Sequence, residues 1–256
     1  MRKKIYYFFR KNNKIKGWIL TFFDEFKSYS LDSSKWDRGS HYGLRFHPGS
    51  IEHEDEAPTE WYSDDCIEAT STHVKLKAIK KPVETFYNKK KWRIEHQIGM
   101  INTSNSFSQK NGYFEIKATV PASEGMWPVF WLASSHVWPP EIDVFEIFTG
   151  ENNGKHKMRS NVHSADHGIV KIKPTTINLG LDLSKRPYTY GCEWDCDYIK
   201  FYFQDQLIRV VRTPVDYSFP MHIVVNNSVD PEYNGPIEFP NHMSVFYVRA
   251  YTKKRS

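Results

Sequence analysis

Three carboxylic acids fall within one short apolar run, Pro139-Pro140-Glu141-Ile142-Asp143-Val144-Phe145-Glu146-Ile147. Acids are seldom buried without a partner or a task. Side chains of a regular strand alternate with period two, so Glu141 and Asp143 share one face and Glu146 turns to the other. A β-bulge that inserts one residue between Asp143 and Glu146 brings all three acids to one side. Ile142, Val144 and Ile147 can then fill the core behind them. Two carboxyl groups about 5–5.5 Å apart are what double displacement at an anomeric carbon requires. One must be ionised to attack and the other protonated to expel the leaving group. Crowding separates their titrations, because like charges resist joint ionisation. Asp143, in the middle, is expected to hydrogen-bond the attacking carboxylate. Without the bulge, the same acids read as the solvent face of an edge strand.

Other residues could serve the same chemistry. Trp127 and Trp131 are four apart and share a face if Trp127–Ala133 is a strand. Indole faces beside the acids would stack on the apolar faces of pyranose rings; the alternative is plain core packing. His163 could donate to a substrate hydroxyl or to the acids, or be a hydrogen-bonded structural histidine. His163, Asp166 and His167 suggest a metal, but nothing else supplies a completing ligand set, so neither metal nor cofactor is expected. Trp138 lies just before Glu141, near one rim of a cleft, and Trp61 lies in a polar segment that could reach a subsite. Lys80–Arg93 carries Lys80, Lys81, Lys89, Lys90, Lys91 and Arg93 with Phe86, Tyr87 and Trp92. It reads as a basic loop that is either solvated or in contact with an anionic glycan. Arg45, His41 and His47 carry the same ambiguity.

The elements that must position these groups are strands. Short runs rich in Val, Ile, Tyr, Phe and Thr are separated by Gly, Pro, Asn and Asp, with little helical periodicity. The clearest are His73–Ile79, Gly112–Val120, Trp127–Ala133, Ile142–Phe148, Tyr188–Trp194, Ile199–Phe203, Leu207–Val211, His222–Val225 and Met243–Tyr251. Their number and spacing predict a two-sheet β sandwich. Phe148–Met158 reads as a loop. The 256 residues suit one large core, and no composition shift divides them. Residues 1–16 read as a basic leader and 17–256 as a single domain. An aromatic content of 16% fits a broad β core or a cleft for flat sugar rings. The net charge of +5 is too modest, without a reading element, for a nucleic-acid binder. Three cysteines argue against a disulfide scaffold, and Cys192 and Cys196 are spaced too widely along a strand for a direct bridge. The N-terminus has the positive start of a signal peptide but too short an apolar stretch, and no run approaches a membrane helix.

The Glu141-Ile142-Asp143-Val144-Phe145-Glu146 run resembles the bulged E-x-D-x-x-E motif of glycoside hydrolase family 16. The resemblance covers most of the chain in the family's order. Phe23-Asp24-Glu25-Phe26, Leu31-Asp32 and Lys35-Trp36 look like its N-terminal strand. Gly112–Ala118 and Gly125-Met126-Trp127-Pro128-Val129-Phe130-Trp131-Leu132 look like the strands leading to the acids. Asn161-Val162-His163 looks like the strand that follows. Tyr188–Trp194, Ile199–Tyr202 and Val245–Tyr251 resemble the later strands. The acid motif together with Trp-Pro-x-Phe-Trp-Leu is specific. The resemblance implies an all-β, concanavalin A-like β-jelly-roll of two antiparallel sheets, with a long cleft on the concave one. It implies Glu141 as nucleophile, Asp143 as its assistant, Glu146 as acid/base and Asn226 near the inner face of the sheet. Phe246 stands where many members have an Asp that helps hold a structural calcium, so that site is not expected. The hairpin turn that normally reads Asp-Gly reads Asp205-Gln206 here, so a different turn type is expected.

These readings converge on a retaining endo-hydrolase of a β-linked polysaccharide. A β-1,3- or mixed-linkage glucan is favoured by the resemblance, with a marine, sulfated or unsulfated galactan as runner-up. A carbohydrate-binding protein without catalysis is the alternative from another class, and the acid triplet argues against it. Transglycosylation would use the same residues. A monomer with a polysaccharide or oligosaccharide partner is expected, with neither nucleic acid nor membrane. The substrate class implies secretion or a periplasmic site.

Overall fold

The computed structural model describes residues 17–41, 43–46, 58–134, 136–166 and 169–254. The basic leader 1–16, His47 and His167 lie outside the described residues. The strands are β1 (Trp18–Asp24), β2 (Asp37–Arg38), β3 (Trp61–Tyr62), β4 (Ile67–Ala69), β5 (Val74–Tyr87) and β6 (Lys90–Ile98). They continue as β7 (Met100–Asn102), β8 (Gly112–Thr119), β9 (Met126–Ser134), β10 (Glu141–Glu146), β11 (Lys157–Asp166) and β12 (Ile169–Ile172). The last are β13 (Thr175–Asn178), β14 (Tyr188–Trp194), β15 (Tyr198–Phe203), β16 (Gln206–Arg212), β17 (Met221–Val229) and β18 (Asn241–Lys253). Helical structure among the described residues is limited to single 3₁₀ turns at Asp64–Cys66 and Gly154–His156.

Two sheets form, as the strand pattern predicts. One runs β16-β15-β14-β8-β18-β5-β6-β3, with β1 on β18 and β4 on β5. The other runs β12-β11-β10-β9-β17-β7-β2, with β13 on β11. The pairings are antiparallel except β3 with β6. The β8, β14 and β15 side chains facing inward include Phe114, Tyr190, Trp194 and Phe201, all fully buried. They meet Phe130 and Phe145 from the second sheet in one continuous core. The Phe145 ring centroid lies 4.5 Å from that of Tyr190 and 6.3 Å from that of Phe130. Phe145→Ala removes that contact set and leaves a cavity. It should lower unfolding free energy by about 3–5 kcal/mol, read as a drop in the urea midpoint.

The basic segment Lys80–Arg93 is a correction to the expected loop. It is the distal half of a hairpin between β5 and β6. Pro82 is tolerated because the register shifts between Lys80 and Val83, and a bulge does not need its missing N–H. Asn88 and Lys89 close the turn with φ of 49° and 63°, a two-residue turn whose twist matches the strands. The second hairpin turn also falls elsewhere than expected. It is Gln204-Asp205, with φ of 47° and 63°, not Asp205-Gln206. The turn is therefore of the same left-handed kind that Asp-Gly would make. All three cysteines are free, Cys66 and Cys192 buried and Cys196 exposed.

Gly99 joins β6 of the first sheet directly to β7 of the second. Its N–H donates to Lys77 O on β5 and its carbonyl accepts from Asn227 N on β17. A Cβ there would stand 2.4 Å from Cys66 O, so glycine is required by the close backbone approach.

Candidate active site

The acid-bearing strand β10 is bulged. Against β11, Asp143 pairs with Asn161 and Glu146 with Arg159, so three steps on β10 match two on β11. Against β9, Asp143 pairs with Trp131 and Phe145 with Phe130. The extra residue is Val144, and Val144 and Phe145 both enter the core. The parity of the strand therefore changes between Asp143 and Glu146, and the three acids fall on one face.

That face is furnished from both neighbours. Trp127 Nε1 donates to Glu146 Oε1 at 3.2 Å. Trp131 Nε1 donates to Asn226 Oδ1 at 2.8 Å, and Asn226 Nδ2 donates to Ser228 Oγ at 2.7 Å. Trp138 Nε1 donates to Glu141 Oε2 at 3.1 Å. His163 Nε2 lies 2.9 Å from Asp143 Oδ2 and 3.3 Å from Glu141 Oε1. The imidazole therefore stands within reach of both carboxyls. These three groups lie close enough together to suit a cation, and His163 Nε2 is hydrogen-bonded with Asp143 Oδ2. Behind them, the Tyr217 hydroxyl sits 2.7 Å from Glu141 O and 2.8 Å from His163 O, across a register pair of β10 and β11.

Burial raises all three carboxyls. Glu146 is pushed up to about 8, by burial first and then by the charge of Asp143, with Arg159 acting the other way. Glu141 and Asp143 titrate as a pair, and burial raises both. The Asp143 charge raises Glu141 further, while His163 and the Trp138 N–H favour its ionised form. The site thus holds a carboxyl raised well above its ordinary range beside a pair whose titrations are linked. Glu146 Oε2 is buried and has no hydrogen-bond partner.

A cavity of about 440 Å³ opens beside Glu146, lined in part by Trp127, Phe148, Glu151, Arg159 and Tyr233. Phe148 is stacked between Trp127, at 5.1 Å and 22°, and the Arg159 guanidinium, 4.3 Å from its centroid. Gly150 lies flat on Tyr233, where a Cβ would come within 2.3 Å of the ring.

Of the residues singled out in the sequence, Trp127, Trp131, Trp138, Glu141, Asp143, Glu146, His163 and Asn226 are brought together. Trp61 sits on β3, beside β6, and its ring stacks on Phe46 with centroids 6.3 Å apart; its neighbour Glu60 accepts from Val229 N on β17, the strand that carries Asn226. His41 does reach the face. Its ring meets Trp131 edge-on at 5.2 Å and lies 4.8 Å from His222, and burial drives its pKa down to about 3. Arg159, Phe148 and Tyr217 were missed. Arg159 lies four residues before His163 on β11, so strand alternation could have found it; Tyr217 gives no local signal.

The profile of glycosyl hydrolases family 16 matches residues 53–229. Among curated proteins, an endo-1,3-1,4-beta-glycanase, ExsH, of Rhizobium meliloti (strain 1021) is 33% identical over 162 residues. That match takes in 62% of this chain but 34% of the relative, so the matched region is about a third of the relative's length. A beta-glucanase of Rhodothermus marinus is 24% identical over 94% of this chain and 87% of its own. Among solved structures, the laminarinase catalytic domain of Thermotoga maritima MSB8 superposes with a TM-score of 0.77 at 22% identity. The superposition covers 94% of this chain and 100% of that one. The likeness extends the sandwich architecture to both molecules.

Proposed function

This chain belongs to glycosyl hydrolases family 16, and from that premise we propose that it is a retaining endo-hydrolase of a β-1,3- or mixed-linkage β-glucan. The observation that carries the reading is the one-residue bulge at Val144, which sets Glu141 and Glu146 on one face of β10. Glu141 is the nucleophile. Its carboxylate attacks the anomeric carbon while Glu146 passes its proton to the glycosidic oxygen, and the leaving chain departs. Water then attacks the glycosyl ester, Glu146 takes the water's proton, and the sugar is released with its original configuration. Asp143 and His163 hold the Glu141 carboxylate in place and share its charge.

The relatives support the choice of substrate class, since that of R. meliloti is an endo-1,3-1,4-beta-glycanase and that of R. marinus a beta-glucanase.

The test is incubation with laminarin, lichenan, agarose, porphyran and carrageenans. Oligosaccharides of several sizes from laminarin or lichenan at early times support the reading. Release of monosaccharide alone, or cleavage of a galactan only, contradicts it. Trp131 supplies a stacking surface on the same face. Trp131→Ala should weaken oligosaccharide binding about tenfold, read by isothermal titration calorimetry.

A further inference from the structure

Glu146 faces charged groups from every element packed around it. On its own strand are Asp143 and, further off, Glu141. Across the ladder are Arg159, its register partner, and His163. From β9 comes the Trp127 N–H. The turn after β10 supplies Glu151, and the segment after β17 brings Asp230, Glu232 and Tyr233 to the wall of the same cavity. The Tyr233 hydroxyl is committed to Glu124 Oε2 at 2.9 Å. Among the described residues, Arg159 is the one arginine or lysine that lines this cavity.

Arg159 is held on two sides. Its guanidinium lies over Phe148, and its Nη2 meets Glu151 Oε1 at 2.9 Å. Phe148 in turn stacks on the indole whose N–H binds Glu146. An ion pair this exposed, with side chains 32% and 37% accessible, contributes little to folding. Beside a buried carboxyl its effect is larger, because the charged form of Glu146 has little solvent to screen it.

We propose that Arg159, stacked on Phe148 and counterbalanced by Glu151, is the positioning residue that sets the protonation state of Glu146. The proposal rests on the acid/base reading of Glu146 only for its consequence in turnover. Arg159 favours the ionised carboxylate and Glu151 offsets part of that pull. The balance leaves Glu146 able both to give its proton to the glycosidic oxygen and to recover one from water. Removing either member should therefore move Glu146 in opposite directions.

The Glu146 midpoint can be read without turnover, as the carboxyl infrared difference between each protein and its E146Q version across a pH titration. Arg159→Met should raise the midpoint by about one pH unit, and Glu151→Gln should lower it by about half a unit. Arg159→Lys keeps the charge and should stay within about 0.3 unit of the parent. The basic limb of kcat/KM on laminarin or lichenan should follow the same order. An unmoved or lowered midpoint in Arg159→Met overturns the role of Arg159, as does an Arg159→Lys variant that behaves like Arg159→Met. An unmoved or raised midpoint in Glu151→Gln overturns the counterbalance. Failure of the parent protein to cleave any glucan counts against the hydrolase reading instead, and the infrared midpoints still decide the role of Arg159.

Discussion

Glu141→Gln should abolish cleavage of laminarin or lichenan, a loss of at least about 10⁴-fold in kcat, while oligosaccharide binding persists. The amide keeps the shape of the side chain and its acceptor oxygen for the Trp138 N–H, so the cleft stays formed. What it lacks is an oxygen able to form the glycosyl ester. In Glu141→Ala, added azide should restore turnover and yield a glycosyl azide of inverted configuration, because the small anion enters the space the deleted carboxyl leaves. Parent-level turnover in Glu141→Gln would assign the nucleophile to another group. Unchanged binding with no activity in either protein would favour the carbohydrate-binding alternative.

The second large effect belongs to Glu146. Glu146→Ala should slow polysaccharide cleavage by about 10²–10⁴-fold, since the sugar leaving group needs a proton. An aryl β-glycoside with an acidic phenol needs none, and its first step should survive. Azide should then intercept the glycosyl–enzyme ester and give a product of retained configuration. The two azide products are opposite in configuration, so the pair of variants separates nucleophile from acid without kinetic modelling. The same product from both would overturn the assignment. The raised carboxyl of Glu146, about 8, sets the sign of the parent's pH dependence. Activity should hold while the acid is protonated and fall as pH rises through that region.

The parity of the acid-bearing strand was legible in the sequence because the acids themselves expose it. Glu141 and Glu146 are an odd number of residues apart, and only an inserted residue lets them cooperate. The inner residues were legible for the same reason, apart from Phe145, which joins Val144 in the core once the bulge is made. The β5–β6 hairpin was not legible, because charge and Pro82 dominate its composition. Its strand character comes from cross-strand pairs such as Thr85 with Trp92 and Tyr87 with Lys90. The sequence does not reveal that the Trp61 ring stacks on Phe46. Tyr217 was invisible for a different reason. Its hydroxyl braces two backbone carbonyls from 76 and 54 residues away, and no local pattern encodes a contact of that range.

Gly99 has a mechanical consequence. The Gly99 N–H is bonded to β5 and its carbonyl to β17, so the two layers share a spine at this one residue. Such a spine resists sliding of one layer over the other, and it fixes the bend of the floor on which the acids stand.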